Sequence, residues 1–303
     1  MSVGSGPFRV GFVSIAGRPN AGKSTLLNAL IGEKLAITAR QAQTTRTSIQ
    51  GVLTTDTAQV IFIDTPGIHR SDSLFNKRMM DTVRGALEER DLVLFLADAH
   101  KPFTDEDKDA VSVLRRANQS LLVLNKVDRV DDKRLLLPLM EQYSQLHGFV
   151  EMIPISARKG DGLSDLKQAI IRYLPEGEPI FPDDYFTDQP VRFLAAELIR
   201  EKILRATQNE VPHAVAVLIE KWEESPRLLR ISATIHVERP GQKMILIGKA
   251  GEMLKRIGSE ARVDIEKMTG TRVFLSLFVK VKRNWREDPA FLNAIDWRAM
   301  VGS

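Results

Sequence analysis

The sequence predicts an α/β protein with two domains, a mostly parallel sheet covered by helices and then a small α+β domain. In the first half of the 303 residues, short apolar runs alternate with amphipathic runs of helical period, which is typical of a parallel sheet with helices on both faces. Between 175 and 190 prolines interrupt the pattern, and one helix, two strands, two helices and a strand are predicted beyond them. We therefore predict a first domain at 1–174, a proline-rich linker at 175–190 and a second domain at 191–303.

Composition excludes several kinds of site and location. The chain contains no cysteine, so disulfides, thiolate metal sites and cysteine nucleophiles are excluded. Its first residues lack the apolar core of a signal peptide, and no apolar run approaches the length of about 18 residues that a membrane span requires. We therefore expect a cytoplasmic protein, and we expect it to be a monomer.

Positive charge is concentrated near the C-terminal end. The net charge is only +4, but residues 239–286 contain twelve lysines and arginines against four acidic residues. This basic block predicts a polyanionic partner, either nucleic acid or anionic lipid. A solvated helix face is the alternative interpretation of the same residues.

A phosphate-binding motif lies between a predicted strand at 8–16 and a predicted helix at 24–31. The run Gly17-Arg18-Pro19-Asn20-Ala21-Gly22-Lys23-Ser24 fits G-x-x-x-x-G-K-[ST], whose glycines let backbone N–H groups surround phosphate oxygens. Lys23 is predicted to reach the β and γ phosphates, and the Ser24 hydroxyl to bind Mg²⁺. The predicted nucleotide contacts in this region are Gly17, Asn20, Ala21, Gly22, Lys23, Ser24 and Thr25.

Two further segments complete the predicted phosphate and magnesium site. Asp64-Thr65-Pro66-Gly67 follows a predicted strand, so that Asp64 can hold Mg²⁺ through water while the Gly67 N–H faces the γ-phosphate. The run Gln43-Thr44-Thr45-Arg46 lies between the first helix and the second strand, where a mobile switch is expected. Thr45 is predicted to complete the Mg²⁺ shell, with Thr44 as the alternative.

Base recognition is predicted from the ends of two later strands. Asn125-Lys126-Val127-Asp128 follows an apolar strand, and the Asp128 carboxylate can accept hydrogen bonds from both donors on guanine, which adenine lacks. Ser156, Ala157 and Arg158 follow another strand, where the Ala157 N–H can face the guanine carbonyl oxygen. Taken together in this order, the five segments resemble the translation-factor-like class of small GTPases, which implies a G domain that binds GTP or GDP with Mg²⁺.

The residue after the D-x-x-G motif is unusual for such an enzyme. Ras-like GTPases place a glutamine there to orient the attacking water, but this chain has Ile68, so slow hydrolysis or simple binding is expected. Asn20 and the Thr-Thr-Arg switch resemble GTPases that use K⁺ in place of an arginine finger, with shaping of the loop as the alternative role of Asn20. The predicted catalytic residues are Asn20, Lys23, Thr45 and Gly67.

The second domain contains G-x-x-G at Gly248–Gly251, after a strand-like run at 244–247 and before a predicted helix. In KH modules this loop clamps the backbone of single-stranded RNA, although an ordinary tight turn has the same pattern. The surrounding lysines and arginines favour the KH interpretation. The predicted RNA contacts are Lys243, Ile247, Gly248, Lys249, Ala250, Gly251, Lys255 and Arg256.

Longer stretches identify the resemblance more closely. From Val10 to about Trp285 the chain resembles the Era family, bacterial GTPases with a C-terminal type II KH domain. The resemblance implies a role in maturation of the small ribosomal subunit, with the KH domain gripping single-stranded RNA near the 3′ end of the small-subunit rRNA. The most similar stretches are Gln41-Ala42-Gln43-Thr44-Thr45-Arg46, Phe181–Asp188, Arg192-Phe193, Glu197–Lys202, Glu238–Lys243 and Val279–Lys282.

Two other functions stay open on the sequence alone. A related GTPase could act in tRNA modification or large-subunit assembly, but one such family has two G domains and another needs a catalytic cysteine. The chain has one P-loop and no cysteine. A membrane-associated GTP-binding regulator, peripheral at the inner face of the cell membrane, could use the basic block to contact lipid.

Overall fold

The computed structural model describes residues 6–39, 44–68, 73–88, 90–207 and 211–297. They form two compact units. The first consists of Met1–Ala36, Thr45–Asp72 and Asn76–Asp188, and the second of Ile37–Thr44, Ser73–Phe75 and Gln189–Ser303. Gln43, part of the predicted switch, lies outside the described residues.

The first unit is built on a six-stranded sheet of order β2-β3-β1-β4-β5-β6. All neighbouring strands are parallel except β2 and β3, which pair in antiparallel register. The predicted mostly parallel sheet is therefore confirmed. Its strands are β1 (Arg9–Gly17), β2 (Ile49–Thr54), β3 (Ala58–Asp64), β4 (Leu92–Asp98), β5 (Ser120–Asn125) and β6 (Glu151–Pro154). Its helices are α1 (Lys23–Ile31), α2 (Leu74–Leu87, of which the residues from Asn76 onward belong to this unit), α3 (Asp105–Val111), α4 (Leu136–Ser144) and α5 (Leu163–Tyr173).

Burial on both faces explains why the central strands are apolar without interruption. In β4, Leu92 and Leu94 belong to the core that contains residues of α1 and α5, whereas Val93 and Phe95 belong to the opposite core with residues of α2, α3 and α4. Successive side chains of a strand point to opposite faces, so a strand covered on both sides needs an apolar residue at every position.

Most of the predicted linker is hydrogen-bonded within the first unit. Val10 N donates to Pro175 O and Gly177 N donates to Phe8 O, both at 3.0 Å. Farther along, Val52 N donates to Phe186 O at 3.0 Å, and the Phe181 and Tyr185 rings stack with centroids 4.6 Å apart. These contacts attach the segment to β1 and β2.

The second unit is a helix-covered three-stranded sheet of order β7-β8-β9. The first two strands form an antiparallel hairpin and β9 lies parallel to β8, which requires the intervening helices as a crossover. Its elements are α6 (Val191–Ala206), α7 (Val211–Ala214), β7 (Ala216–Ser225), β8 (Leu228–Val237), α8 (Pro240–Ile247), α9 (Glu252–Thr269), β9 (Val273–Val281) and α10 (Pro289–Ile295).

The strand-like run predicted at 244–247 is wrong, because these residues form the end of α8. Two local signals before the run favour the helix. Pro240 occupies the first turn, where its fixed φ suits a helix and its missing N–H costs nothing. The Gln242 side chain also accepts hydrogen bonds from Glu238 N and Arg239 N at 3.0 and 2.9 Å, which satisfies donors at the helix start.

The long helix α9 of the second unit is amphipathic. In α9 the buried side chains are Ile257, Ala261 and Ile265, whose spacing of four residues gives one apolar stripe for the core. Across the described parts of the chain, no helix has the length together with the apolar character needed to cross a membrane.

Candidate functional site

The P-loop joins β1 to α1 with several residues in positive-φ backbone conformations. Asn20 has φ 64°, and Gly17 and Gly22 have φ of 144° and 102°. A Cβ atom on Gly22 would lie 2.3 Å from Asn125 Nδ2, so only glycine fits there. The helix that follows starts at Lys23, which directs its N-terminal N–H groups toward the loop.

The P-loop lysine is buried beneath the loop. Lys23 Nζ donates to Gly17 O and Arg18 O, both at 3.0 Å. Burial lowers the pKa of Lys23 to about 8, and the charge of Asp64 opposes this shift. The ammonium is therefore held among carbonyl oxygens that phosphate oxygens can replace as acceptors.

Three predicted magnesium residues converge at the end of β3. The Ser24 and Thr45 hydroxyl oxygens lie 2.7 Å apart. Both donate to Asp64 Oδ2, from Ser24 at 2.9 Å and from Thr45 at 3.0 Å. Thr45 is thus the switch threonine whose hydroxyl reaches this cluster, although it lies 21 residues from Ser24 in sequence.

The chemistry of this cluster fits a divalent cation. Within the described residues, Asp64 Oδ1 is buried and has no hydrogen-bond partner. Burial raises the pKa of Asp64 to about 6, while Lys23 and the two hydroxyls lower it. Mg²⁺ prefers hard oxygen ligands, and two hydroxyls with a carboxylate supply them. When bound, Mg²⁺ would neutralise charge on the nucleotide phosphates.

Replacing Asp64 by asparagine is expected to stabilise the nucleotide-free protein at pH 8. Raising a carboxyl pKa from 3.8 to about 6 corresponds to about 3 kcal/mol in favour of the neutral form. The folded pKa exceeds the unfolded one, so stability is lost as the pH rises through 6. A neutral side chain avoids this loss, and since Lys23 then loses its counter-charge we expect a net gain of about 1–3 kcal/mol.

Thermal unfolding at pH 5 and pH 8 measures this effect. The exposed Asp56→Asn change serves as the matched control, which should leave the melting temperature unchanged at both values. Asp64→Asn should also weaken the Mg²⁺ dependence of GTP binding. A variant that is less stable than the wild type at pH 8 would contradict the assigned cost of burying this carboxylate.

The D-x-x-G segment packs directly on the P-loop. A Cβ atom on Gly67 would lie 2.9 Å from Pro19 Cα, so the close approach requires glycine. Ile68 N donates to Gly17 O at 3.2 Å, and the Ile68 side chain is buried in the core. Ile68 therefore contributes packing here and offers no polar group for water.

The predicted guanine residues form one hydrogen-bonded cluster. Asn125 Nδ2 donates to Ala21 O at 2.8 Å, and Asn125 Oδ1 accepts from Ala157 N at 3.0 Å. Ser156 Oγ donates to Asp128 Oδ1 at 2.7 Å. This hydrogen bond is the main cause that holds the pKa of Asp128 below its ordinary value. The Arg158 side chain is exposed.

Lys126 connects the guanine motif to the P-loop and also pairs with a carboxylate that the sequence motifs did not predict. Its Nζ donates to Asn20 O at 2.5 Å and pairs with Asp98 Oδ2 at 2.6 Å. Asp98 lies at the end of β4, the strand beside β5. The only signal of Asp98 in the sequence is that it is a carboxylate at the end of an apolar run. That run forms β4, which lies between β1 and β5 in the sheet.

The G-x-x-G loop of the second unit has the backbone of a tight, glycine-dependent turn. Gly248, Ala250 and Gly251 all have positive φ, of 72°, 51° and 81°. A Cβ atom on Gly248 would lie 2.7 Å from Met253 Cβ, so this position excludes larger residues. The loop leads directly into α9, which begins at Glu252.

Around this loop the predicted RNA contacts differ in exposure. Lys249, Ala250, Lys255 and Arg256 are exposed, whereas Lys243 and Ile247 are half-buried. On α8, directly after Lys243, Met244 and Ile245 expose 74% and 53% of their surface. Counting the charges of this segment did not predict this apolar surface. Their signal was two large apolar residues next to the lysine of a basic segment.

Comparison with known proteins gives consistent matches for both units. Residues 12–126 match the family described as 50S ribosome-binding GTPase, and residues 210–286 match the KH domain family. GTPase Era of Syntrophus aciditrophicus is 49% identical over 288 residues, which cover 94% of each chain. GTPase Era of Geobacter metallireducens is 49% identical over 294 residues, covering 96% of this chain and 98% of the relative.

Solved structures agree with this similarity. A crystal structure of Era in complex with MgGDPNP and nucleotides 1506–1542 of 16S ribosomal RNA has a TM-score of 0.93 at 40% identity and covers 96% of this chain and 99% of that one. A structure of Aquifex aeolicus Era bound to GDP.AlF4- has a TM-score of 0.91 with the same identity and coverage. The chain therefore belongs to the Era family of GTPases, which confirms the predicted fold class and the predicted enzymatic activity.

Proposed function

We propose that this GTPase binds single-stranded RNA near the 3′ end of the small-subunit rRNA and assists maturation of the small ribosomal subunit. The observation that carries the proposal is the left-handed Gly248–Gly251 loop among exposed cations. The similar Era crystallised with nucleotides 1506–1542 of 16S ribosomal RNA supports the choice of RNA. We assign GTP binding to residues 1–174, RNA binding to 191–303 and a linker to 175–190.

The loop suits a nucleic acid backbone for steric and electrostatic reasons. Two glycines leave space for phosphate to approach the main chain and the start of α9. Lys249 adds an exposed cation within the loop, and Lys255 and Arg256 add two more in the first turns of α9. The exposed Met244 and Ile245 side chains of α8, the helix that precedes the loop, offer apolar surface for unpaired bases.

Hydrolysis is proposed to depend on positioning and charge stabilisation by the P-loop. Lys23 donates to phosphate oxygens and stabilises the charge that develops on them. Ser24, Thr45 and Asp64 would hold Mg²⁺, and the Gly67 N–H would be available to the γ-phosphate. Ile68 has no group that can orient water, so the unassisted reaction should be slow.

Asn20 is proposed to hold K⁺ where other GTPases use an arginine finger, and this makes a specific prediction. Exchanging Na⁺ for K⁺ at constant ionic strength should raise the hydrolysis rate, since the cation would stabilise transferring charge. Asn20→Ala should abolish the rise while GDP affinity changes little. Steady-state phosphate release in the two salts measures it. Equal rates in both salts would leave Asn20 with only its loop-shaping role.

Crosslinking of the GTP-loaded protein to cellular RNA tests the proposed partner. Recovery of the 3′ end of the small-subunit rRNA supports the proposal, and exclusive recovery of tRNA or large-subunit rRNA overturns it in favour of the related GTPases. The basic surface could instead contact anionic lipid at the inner membrane face. Two assays on the same protein distinguish these functions. Pelleting with phosphatidylserine vesicles would indicate the membrane function, and a gel shift with rRNA would indicate a cytoplasmic monomer that acts on ribosomes.

A further inference from the structure

Behind the P-loop, Arg18 is bound to the start of α3. Its Nη1 donates to Asp107 Oδ2 at 2.7 Å and to Thr104 Oγ1 at 3.0 Å, and its Nη2 pairs with Glu106. Arg18 is the second residue of the P-loop and lies 89 residues from Asp107 in sequence. The nucleotide motifs described above do not account for this contact.

Asp107 is the buried centre of this cluster. Its relative exposure is 6%, and Oδ2 accepts from Thr104 N and Thr104 Oγ1 at 2.9 Å as well as from Arg18. The other oxygen, Oδ1, accepts from the Tyr143 hydroxyl at 2.8 Å. A buried carboxylate with this many donors is held in one orientation. Burial and the neighbouring Asp107 raise the pKa of Tyr143 far above its usual range, so the phenol remains a hydrogen-bond donor.

The cluster restrains one side of the loop while Lys126 restrains the other. Arg18 is held through its side chain by Asp107, and the Asn20 carbonyl oxygen accepts from Lys126 Nζ. Between them lie Pro19, which is in contact range of Gly67, and the left-handed Asn20. A non-glycine residue in this conformation needs support from its surroundings to persist.

We propose that Asp107 and Tyr143 are positioning residues for GTP hydrolysis, which act through Arg18 on the Pro19–Asn20 part of the P-loop. The guanine cluster and the Ser24, Thr45 and Asp64 cluster do not include these side chains. Loss of the restraint should therefore disturb the γ-phosphate side of the site more than nucleotide binding as a whole.

The test compares turnover with nucleotide affinity. Asp107→Asn keeps the size of the side chain and an acceptor for Tyr143 but removes the charge that holds Arg18. Since a displacement of about 1 Å can reduce a rate by about 100-fold, we expect kcat for GTP to fall at least tenfold. The Kd for GDP should remain within threefold of the wild type. Tyr143→Phe should lower kcat by a smaller factor.

Arg18→Lys provides a second variant, which leaves the buried Asp107–Tyr143 hydrogen bond intact. It keeps the positive charge, but a single ammonium cannot reproduce the contacts that the two guanidinium nitrogens make with Asp107, Thr104 and Glu106. It should lower kcat as Asp107→Asn does, and the double variant should be no slower than either single one. Glu106→Gln is the matched control, because Glu106 pairs with the same arginine but is exposed, and it should leave kcat unchanged. Normal kcat in Arg18→Lys, or rate losses that add in the double variant, overturns the proposal.

Discussion

Replacing Lys249 and Ala250 together by aspartate is expected to weaken RNA binding by about 100- to 10,000-fold. The two positions form the exposed tip of the Gly248–Gly251 loop, where phosphate would approach the main chain. Two charge-assisted contacts of about 1.5–3 kcal/mol each would be lost, which gives the stated range of affinity. Gel-shift titration with the single-stranded 3′ end of the small-subunit rRNA measures the change.

A matched control separates loop chemistry from net charge. Arg134→Asp with Leu135→Asp makes the same charge change at an exposed cation and its exposed apolar neighbour in the first unit, and it should leave RNA affinity near the wild-type value. GTP affinity should survive in both double variants. Lys255→Ala should cost less and should reduce the salt slope by about 0.7, the value for one phosphate contact on a single strand. If the loop variant binds RNA as tightly as the wild type does, the G-x-x-G segment is an ordinary tight turn and does not bind RNA.

Asp128→Asn is expected to change the base that the site accepts. The Asp128 carboxylate accepts a hydrogen bond from Ser156 and its lowered pKa keeps it ionised at neutral pH. An amide cannot accept from both guanine donors, so GTP affinity should fall by about 10⁴-fold, the discrimination that a paired polar group supplies. Xanthosine triphosphate, which has a carbonyl at position 2, should bind better than it does to the wild type.

Competition between the two nucleotides for a fluorescent GDP analogue measures the exchange of specificity. Asp131→Asn, an exposed change three residues farther along, is the matched control and should retain the preference for GTP. If the Asp128 variant still binds GTP as tightly as the wild type, base recognition must be assigned to another residue.

The G-domain fold was predictable because its signals are local. Apart from the switch, each predicted site motif of the G domain follows an apolar run, and two-sided burial made runs such as 92–97 apolar at every position. The run at 244–247 misled because four apolar residues in a row do not distinguish a strand from the end of a helix. The decisive signals, Pro240 and Gln242, lie before the run.

Partners distant in sequence could not be predicted in the same way. Asp98 pairs with Lys126 across 28 residues, and Arg18 with Asp107 across 89. Asp98 belongs to no motif, because it is the parallel pairing of β4 and β5 that brings the ends of these strands together. Asp107 has a local signal only as the capping-box partner of Thr104 at the start of α3, and that signal does not indicate Arg18. The motifs predict which residues face a nucleotide, but only the fold indicates which residues hold those motifs in place.

The bonds from Asn125 and Lys126 to the P-loop have a consequence for the thermodynamics of binding. They join loops that follow β1, β5 and β6 through hydrogen bonds within the protein, so the conformational entropy of these loops is lost when the protein folds. A ligand that enters such a preorganised site does not have to order them again. The free energy of its contacts with base and phosphates is then available for affinity, and little is consumed by rearrangement of the protein.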